Sequence, residues 1–162
     1  AVYLITESAV VNGTQWIRIL LPGRPNGRQG WIRQDAAVLK VMNTWVRVST
    51  KKRTMEIYVN GQLKKRVKVA VGTGGTPTPK GLAAVQDVVP TRGQLGPYIL
   101  VLTAHSTVLK TFAGGNGVVG IHGWPSASAI GKAVSHGCVR MTPTGVRLLV
   151  KHAKMGTPIE VV

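Results

Sequence analysis

"MEIYVNGQLKKRVKVAVG", Met55 to Gly72, is the stretch whose pattern decides how this chain is built. Met55, Ile57 and Val59 fall at every second position, so on an extended backbone they share one face. Val67, Val69 and Val71 repeat the pattern after Asn60-Gly61, and Asn-Gly between two alternating runs is the strongest short-range signal for a two-residue hairpin. The stretch therefore predicts an antiparallel pair with one apolar face, which makes the surrounding unit a half-buried β structure.

The alternation extends outward from Trp45. "YILVLT" (Tyr98 to Thr103) and "TVLKTF" (Thr107 to Phe112) predict a second strand pair, turning through Ala104-His105-Ser106. A short strand is expected at Val118 to Ile121, and "PIEVV" closes the chain. One segment carries a helical period: in "TPTGVRLLVKHAKMG", Thr142 suits the N-cap, Pro143 the first turn and Gly156 the stop, with Val146, Leu149, Val150 and Ala153 on one side. The fold class is mainly β: a β-sandwich with a few short helices over residues 41–162, plus a small β N-terminal lobe over 1–40.

That lobe contains "WIRILLPGRPNGRQGWI" (Trp16 to Ile32), strand-like at both ends around a Pro/Gly-rich turn, with Trp16 and Trp31 as packing anchors. It resembles part of a bacterial Src-homology-3-like module, in which a final Gly-Trp strand is common. The plainer reading is a structural lobe packed on the sandwich.

A chain of 162 residues fits one domain with a small appendage. Its apolar runs are far shorter than the roughly 20 residues of a membrane-spanning helix. It begins without Met or a basic, apolar leader and reads as a trimmed fragment whose targeting signal is missing. The net charge of +16 favours polyanionic surroundings: nucleic acid, an anionic membrane surface, or a cell wall rich in carboxylates and phosphates. Aromatic residues make up only 5% and no nucleic-acid motif is present, so nucleic acid is not the expected partner. The runs Lys51-Lys52-Arg53 and Lys64-Lys65-Arg66 read as solvated faces, His105 and His152 as solvated or core-edge histidines. The five acids are Glu7, Asp35, Glu56, Asp87 and Glu160, so no carboxylate side chain lies between Val88 and Ile159.

Inside that carboxylate-free interval sits "GIHGWPSASAIGKAVSHGCVRM", Gly120 to Met141, with two of the four histidines and the only cysteine. One cysteine excludes an internal disulfide and leaves either a buried, inert thiol or a nucleophile. A nucleophilic cysteine needs a partner that takes its proton. His136 lies two residues from Cys138, and His122 reaches it if the turn-rich "GWPSASAIGKAV" folds back. With no local carboxylate, the group orienting a histidine is expected to be a backbone carbonyl, Gly123 or Ser135. Lys132 and Arg140 add positive charge, which favours an ionised Cys138. Gly137 permits the close geometry in which backbone N–H groups converge on an oxyanion. A zinc site from His122, His136 and Cys138 is the weaker alternative, because His-Gly-Cys is tighter than usual ligand spacing.

The pattern His122, a turn-rich interval, then Ser135-His136-Gly137-Cys138-Val139-Arg140 resembles the signature of the L,D-transpeptidase catalytic domain. "TPTPKG" (Thr76 to Gly81) resembles the Thr-Pro-rich segment upstream of that family's active-site half. The resemblance covers roughly Trp45 to Val162. It implies a secreted bacterial enzyme of the cell wall or envelope, active in peptidoglycan biosynthesis and cell shape, that needs no cofactor or metal. Cys138 would attack the third stem-peptide residue and release D-alanine, and the thioester would pass to the side-chain amine of a second stem. His122 would be the base, Gly123 its orienting carbonyl, and His136 a further catalytic residue that shapes the pocket and shares proton transfer. Gly137 and Cys138 N–H groups would be the oxyanion donors, Arg140 a carboxylate anchor or a brace of the loop, and Trp124 an aromatic edge of the pocket, with a structural tryptophan the plainer reading. Carbapenem-type β-lactams would acylate Cys138. Thr142-Pro143-Thr144-Gly145 departs from the Asn and Asp that often open the following helix. Two alternatives remain: an L,D-carboxypeptidase with water as acceptor, and a non-catalytic basic module binding wall polymer or nucleic acid.

Overall fold

The computed structural model describes residues 1–162. Three strands open the chain: β1 (Ile5–Val11), β2 (Thr14–Leu20) and β3 (Gln29–Arg33), an antiparallel sheet in the order β1-β2-β3. Ile17, Ile19 and Leu20 bury its inner side. Trp31 does not anchor it as expected. Its ring is 42% exposed, with the Arg18 guanidinium 5.9 Å from the ring centroid.

The hairpin forms as the sequence requires. β4 (Thr44–Ser49), β5 (Thr54–Val59) and β6 (Gln62–Lys68) are antiparallel, and Asn60 and Gly61 both take positive φ (51° and 75°), the two-residue turn that Asn-Gly favours. The apolar run after the turn is not one strand, however. β6 ends at Lys68, Ala70 bridges to Arg140, and β7 (Val71–Gly72) pairs elsewhere, because here the chain crosses from one sheet to the other.

β8 (Gly81–Pro90), to which the sequence pattern assigned nothing, is the hinge of the sandwich. β9 (Tyr98–His105), β10 (Val118–Gly123), β11 (Ala133–Ser135), β12 (Val139–Met141), the helix α1 (Pro143–His152) and β13 (Pro158–Val161) complete the chain. The strand order is β12-β10-β9-β8-β13-β4-β5-β6. The first half of β8 pairs with β13 and the second with β9, with a register shift between Val85 and Asp87. A bulge of this kind bends a strand and lets it serve two sheets. The Ala70–Arg140 bridge, with N–H···O bonds of 2.8 and 2.9 Å in both directions, ties the chain beyond one edge strand to the other edge strand. One core results, in which Val46, Met55 and Ile57 share a cluster with Leu100, Ile121, Val139 and the helical Val146 and Leu149.

"TVLKTF" is not a strand. The pairing neighbours of β9 are β8 and β10, while Val108 and Phe112 are 54% and 47% exposed and so have no face to bury. α1 starts as read, with the Thr142 hydroxyl accepting from the Gly145 N–H at 3.0 Å. It ends at His152, before Gly156, where the Lys154 ammonium donates to the Val150 carbonyl and Lys154 N–H to the Thr157 hydroxyl.

Candidate active site

β10 and β12 run parallel, with Ile121 opposite Val139 and His122 opposite Arg140. Ile121 and Val139 point into the core, both fully buried. Side chains alternate along a strand, so Gly120 and His122 share the opposite face with Cys138 and Arg140. His122 is thus the direct cross-strand neighbour of Arg140 and, on the same face, the diagonal neighbour of Cys138. The strand pair, not closeness in sequence, brings histidine and cysteine together.

His122 is buried, and its Nδ1 lies 2.8 Å from the Gly123 carbonyl oxygen. With Nδ1–H donated there, Nε2 keeps its lone pair. Gly123 has room for no side chain, since a Cβ would sit 1.7 Å from the Gly96 carbonyl oxygen. At the end of the ladder, the Gly120 N–H donates to Cys138 Sγ at 3.4 Å.

The loop before the cysteine is fastened by Ser135. Its hydroxyl donates to the Cys138 carbonyl and accepts from the Gly137 N–H at 3.1 Å, and Gly137 holds φ at +122°, a conformation L side chains rarely adopt. The Ser135 carbonyl accepts from the Thr76 hydroxyl and from Thr73 N–H, both at 3.1 Å. Two expectations change here. Ser135 braces the loop and is not the histidine's orienting group. The Gly137 N–H is already engaged, which leaves the Cys138 N–H as the donor without a partner.

The charge expectation is corrected as well. Burial pushes the Cys138 thiol above its ordinary value, outweighing the Gly120 N–H and Arg140, which favour the thiolate. Lys132 is exposed to solvent, where its charge is screened. Burial also lowers His122, as does Arg140, against the Gly123 carbonyl, which raises it. Both shifts favour the neutral forms, thiol and imidazole.

Arg140 is half-buried, its guanidinium 3.8 Å from the Trp124 ring centroid, and its Nε has no hydrogen-bond partner. The Trp124 ring is 6.1 Å from that of His122. His136 is exposed and stands apart from these, its ring 4.9 Å from Phe112 at 31°. Gly120 and Phe112 escaped the sequence reading. Gly120 has no chemical side chain to flag it, and Phe112 lies in the segment read as a strand.

The family model of the L,D-transpeptidase catalytic domain (YkuD) matches residues 43–161. The chain belongs to the L,D-transpeptidase catalytic-domain family. A Bacillus licheniformis protein named as the L,D-transpeptidase YkuD is 33% identical over 117 residues, which cover 72% of this chain. The chain spans 64% of that relative's length. L,D-transpeptidase 3 from Mycobacterium tuberculosis has the same fold at 11% identity, with a TM-score of 0.62 over 98% of each chain. The Enterococcus faecium catalytic domain acylated by ertapenem is 22% identical, with a TM-score of 0.54 over 76% of this chain and all of that one. The β-sandwich with few short helices expected from the sequence is therefore the L,D-transpeptidase fold.

Proposed function

We propose that the chain is a peptidoglycan L,D-transpeptidase that works through a thioester on Cys138. One observation carries the reading: His122 donates Nδ1–H to the Gly123 carbonyl, on the strand face it shares with the cysteine, which leaves Nε2 as a proton acceptor.

In the first half-reaction, Cys138 Sγ attacks the carbonyl of the third stem-peptide residue, a diamino acid linked through its L centre, as its proton passes to His122. The tetrahedral oxyanion is held by the Cys138 N–H. Collapse breaks the peptide bond, and the D-alanine amine takes the proton from His122. In the second half, the side-chain amine of an acceptor stem attacks the thioester, gives its proton to His122 and releases the thiolate, which recovers that proton. Arg140, with an unpartnered Nε and one face against Trp124, is suited to a substrate carboxylate. His136 stands at the rim and shapes the pocket. The substrate places the enzyme outside the cytoplasm, in the cell wall or envelope, where a +16 chain is drawn to anionic polymer. Carbapenems are covalent inhibitors in this scheme, in line with the ertapenem-acylated relative.

Intact-mass measurement after carbapenem exposure tests the chemistry. One adduct is expected, absent in Cys138→Ala and slow to form in His122→Ala; no adduct on folded wild type overturns the reading. Incubation with tetrapeptide stems tests the acceptor: cross-linked dimer supports transfer, and tripeptide alone means that water is the acceptor.

A further inference from the structure

The segment Ser106 to Gly117 is a closed surface loop. The Ser106 N–H donates to the Gly117 carbonyl at its base, and the Ser106 hydroxyl accepts from the Val108 and Leu109 N–H groups. At its tip, Phe112 and Gly115 exchange two backbone hydrogen bonds of 2.9 and 3.0 Å. Loops of this shape are usually filled by their own side chains. This one is also tied from outside: the exposed Arg24, from the turn between β2 and β3, donates from its guanidinium to the carbonyls of Asn116 (2.9 Å), Leu109 (3.0 Å) and Ser106 (3.2 Å). Asn26 docks the same turn by pairing with the backbone of His105 in both directions, at 2.7 and 2.8 Å. From the loop's tip, Phe112 lies against the ring of His136, two residues before Cys138.

We propose that Arg24 is a positioning residue for the reaction at Cys138: it ties three carbonyls of the Ser106–Gly117 loop together and so holds Phe112 against His136. The N-terminal lobe is on this account part of the catalytic apparatus. A guanidinium offers several donors in a fixed planar fork, which is what three divergent carbonyls require and what a lysine ammonium does not reproduce. The inference rests on Cys138 being the nucleophile.

The test uses the full chain with Arg24→Ala, Arg24→Lys, Phe112→Ala and the Arg24→Ala/Phe112→Ala double variant. Two readouts are taken: the His136 ring-proton resonances, which the adjacent Phe112 ring shifts, and the rate constant of carbapenem acylation at Cys138. In Arg24→Ala the His136 resonances should move to their positions in Phe112→Ala. Acylation should slow roughly fivefold, in the rate constant and not in carbapenem binding, as expected for loss of one member of a coupled network half open to water. Arg24→Lys should recover little, and the double variant should be no slower than Phe112→Ala. Phe112 is exposed, so its removal leaves the fold intact and keeps the comparison valid if Arg24→Ala is unstable. Normal His136 resonances and normal acylation in Arg24→Ala, or a double variant slowed by the product of the single effects, overturns the inference. That result leaves the function untouched. A wild type that takes no carbapenem overturns the function and with it the positioning role of Arg24.

Discussion

His122 is oriented by the carbonyl of Gly123, its immediate neighbour in the chain, at 2.8 Å. A triad would take a carboxylate for this task, and the chain has none between Val88 and Ile159. The orienting group is therefore only as well placed as the backbone that carries it, and that backbone lies hard against Gly96.

Gly123→Ala tests this dependence. The added Cβ would meet the Gly96 carbonyl oxygen at 1.7 Å, so one of the two strands of backbone must give way. A loss of about 1–3 kcal/mol in stability is expected from overpacking. Acylation should fall further than that loss of folded protein explains. Thermal denaturation and the acylation rate of the folded fraction, measured together, check it.

The pH profile follows from two opposite shifts. His122 is held below the ordinary histidine value of about 6.5, so it remains a competent base at pH values where a free histidine is charged, and the acid limb of acylation should lie below that value. The Cys138 thiol is raised, so its alkylation by iodoacetamide should climb only above the ordinary thiol range of about 8.5. Stability follows the same signs. As pH falls through 6.5 toward His122's lower folded value, the unfolded chain takes up a proton before the folded one, and stability drops. As pH rises from the unfolded thiol value toward the raised folded one, the unfolded chain loses its proton first, and stability drops again. Cys138→Ala should flatten the alkaline part alone.

Arg140→Gln keeps a polar group beside Trp124 and removes the charge. With the unpartnered Nε as substrate anchor, KM for the stem donor should rise about tenfold or more, while acylation by a carbapenem of small size changes less. Equal effects on both would assign Arg140 to bracing the loop.

Ser135→Ala removes the hydroxyl that fastens the Cys138 carbonyl and the Gly137 N–H. A buried donor and a buried acceptor lose their partner, so stability should fall by about 1–3 kcal/mol, visible as a lower Tm. Thr142→Ala, which removes the N-cap of α1, should cost about 1 kcal/mol without slowing the chemistry.

Much of the fold was legible wherever one face of a strand is buried. Met55 and Ile57 and the helical Val146 and Leu149 carried their period in the sequence, and Asn60-Gly61 carried its turn. β8 was not legible, because a strand that serves two sheets has no single face and its middle is Ala83, Ala84 and the exposed polar Gln86 and Asp87. The segment Thr107 to Phe112 misled for the converse reason: Val108 stays exposed, and Phe112 rests on the His136 ring of another loop and not on a sheet. At the site, residue types were readable and their electrostatics were not. Lys132 and Arg140 count as positive in a sequence, whereas burial, which decides the charge of Cys138, depends on how the strands close.

On the proposed function, the Ala70–Arg140 bridge is expected to set when the protein becomes reactive. Its two halves are separated by nearly half of the chain, and contacts so distant form late in folding because loop-closure entropy must be met first. Until that closure, β12 has no second neighbour to hold Arg140 and Cys138 in register with His122. On this expectation, a chain caught on the way to the native state carries a thiol and an imidazole not yet fixed in register. Acylation added at successive times during refolding should lag behind hairpin formation and keep step with the last phase, so that the enzyme's birth as a catalyst coincides with the completion of its fold.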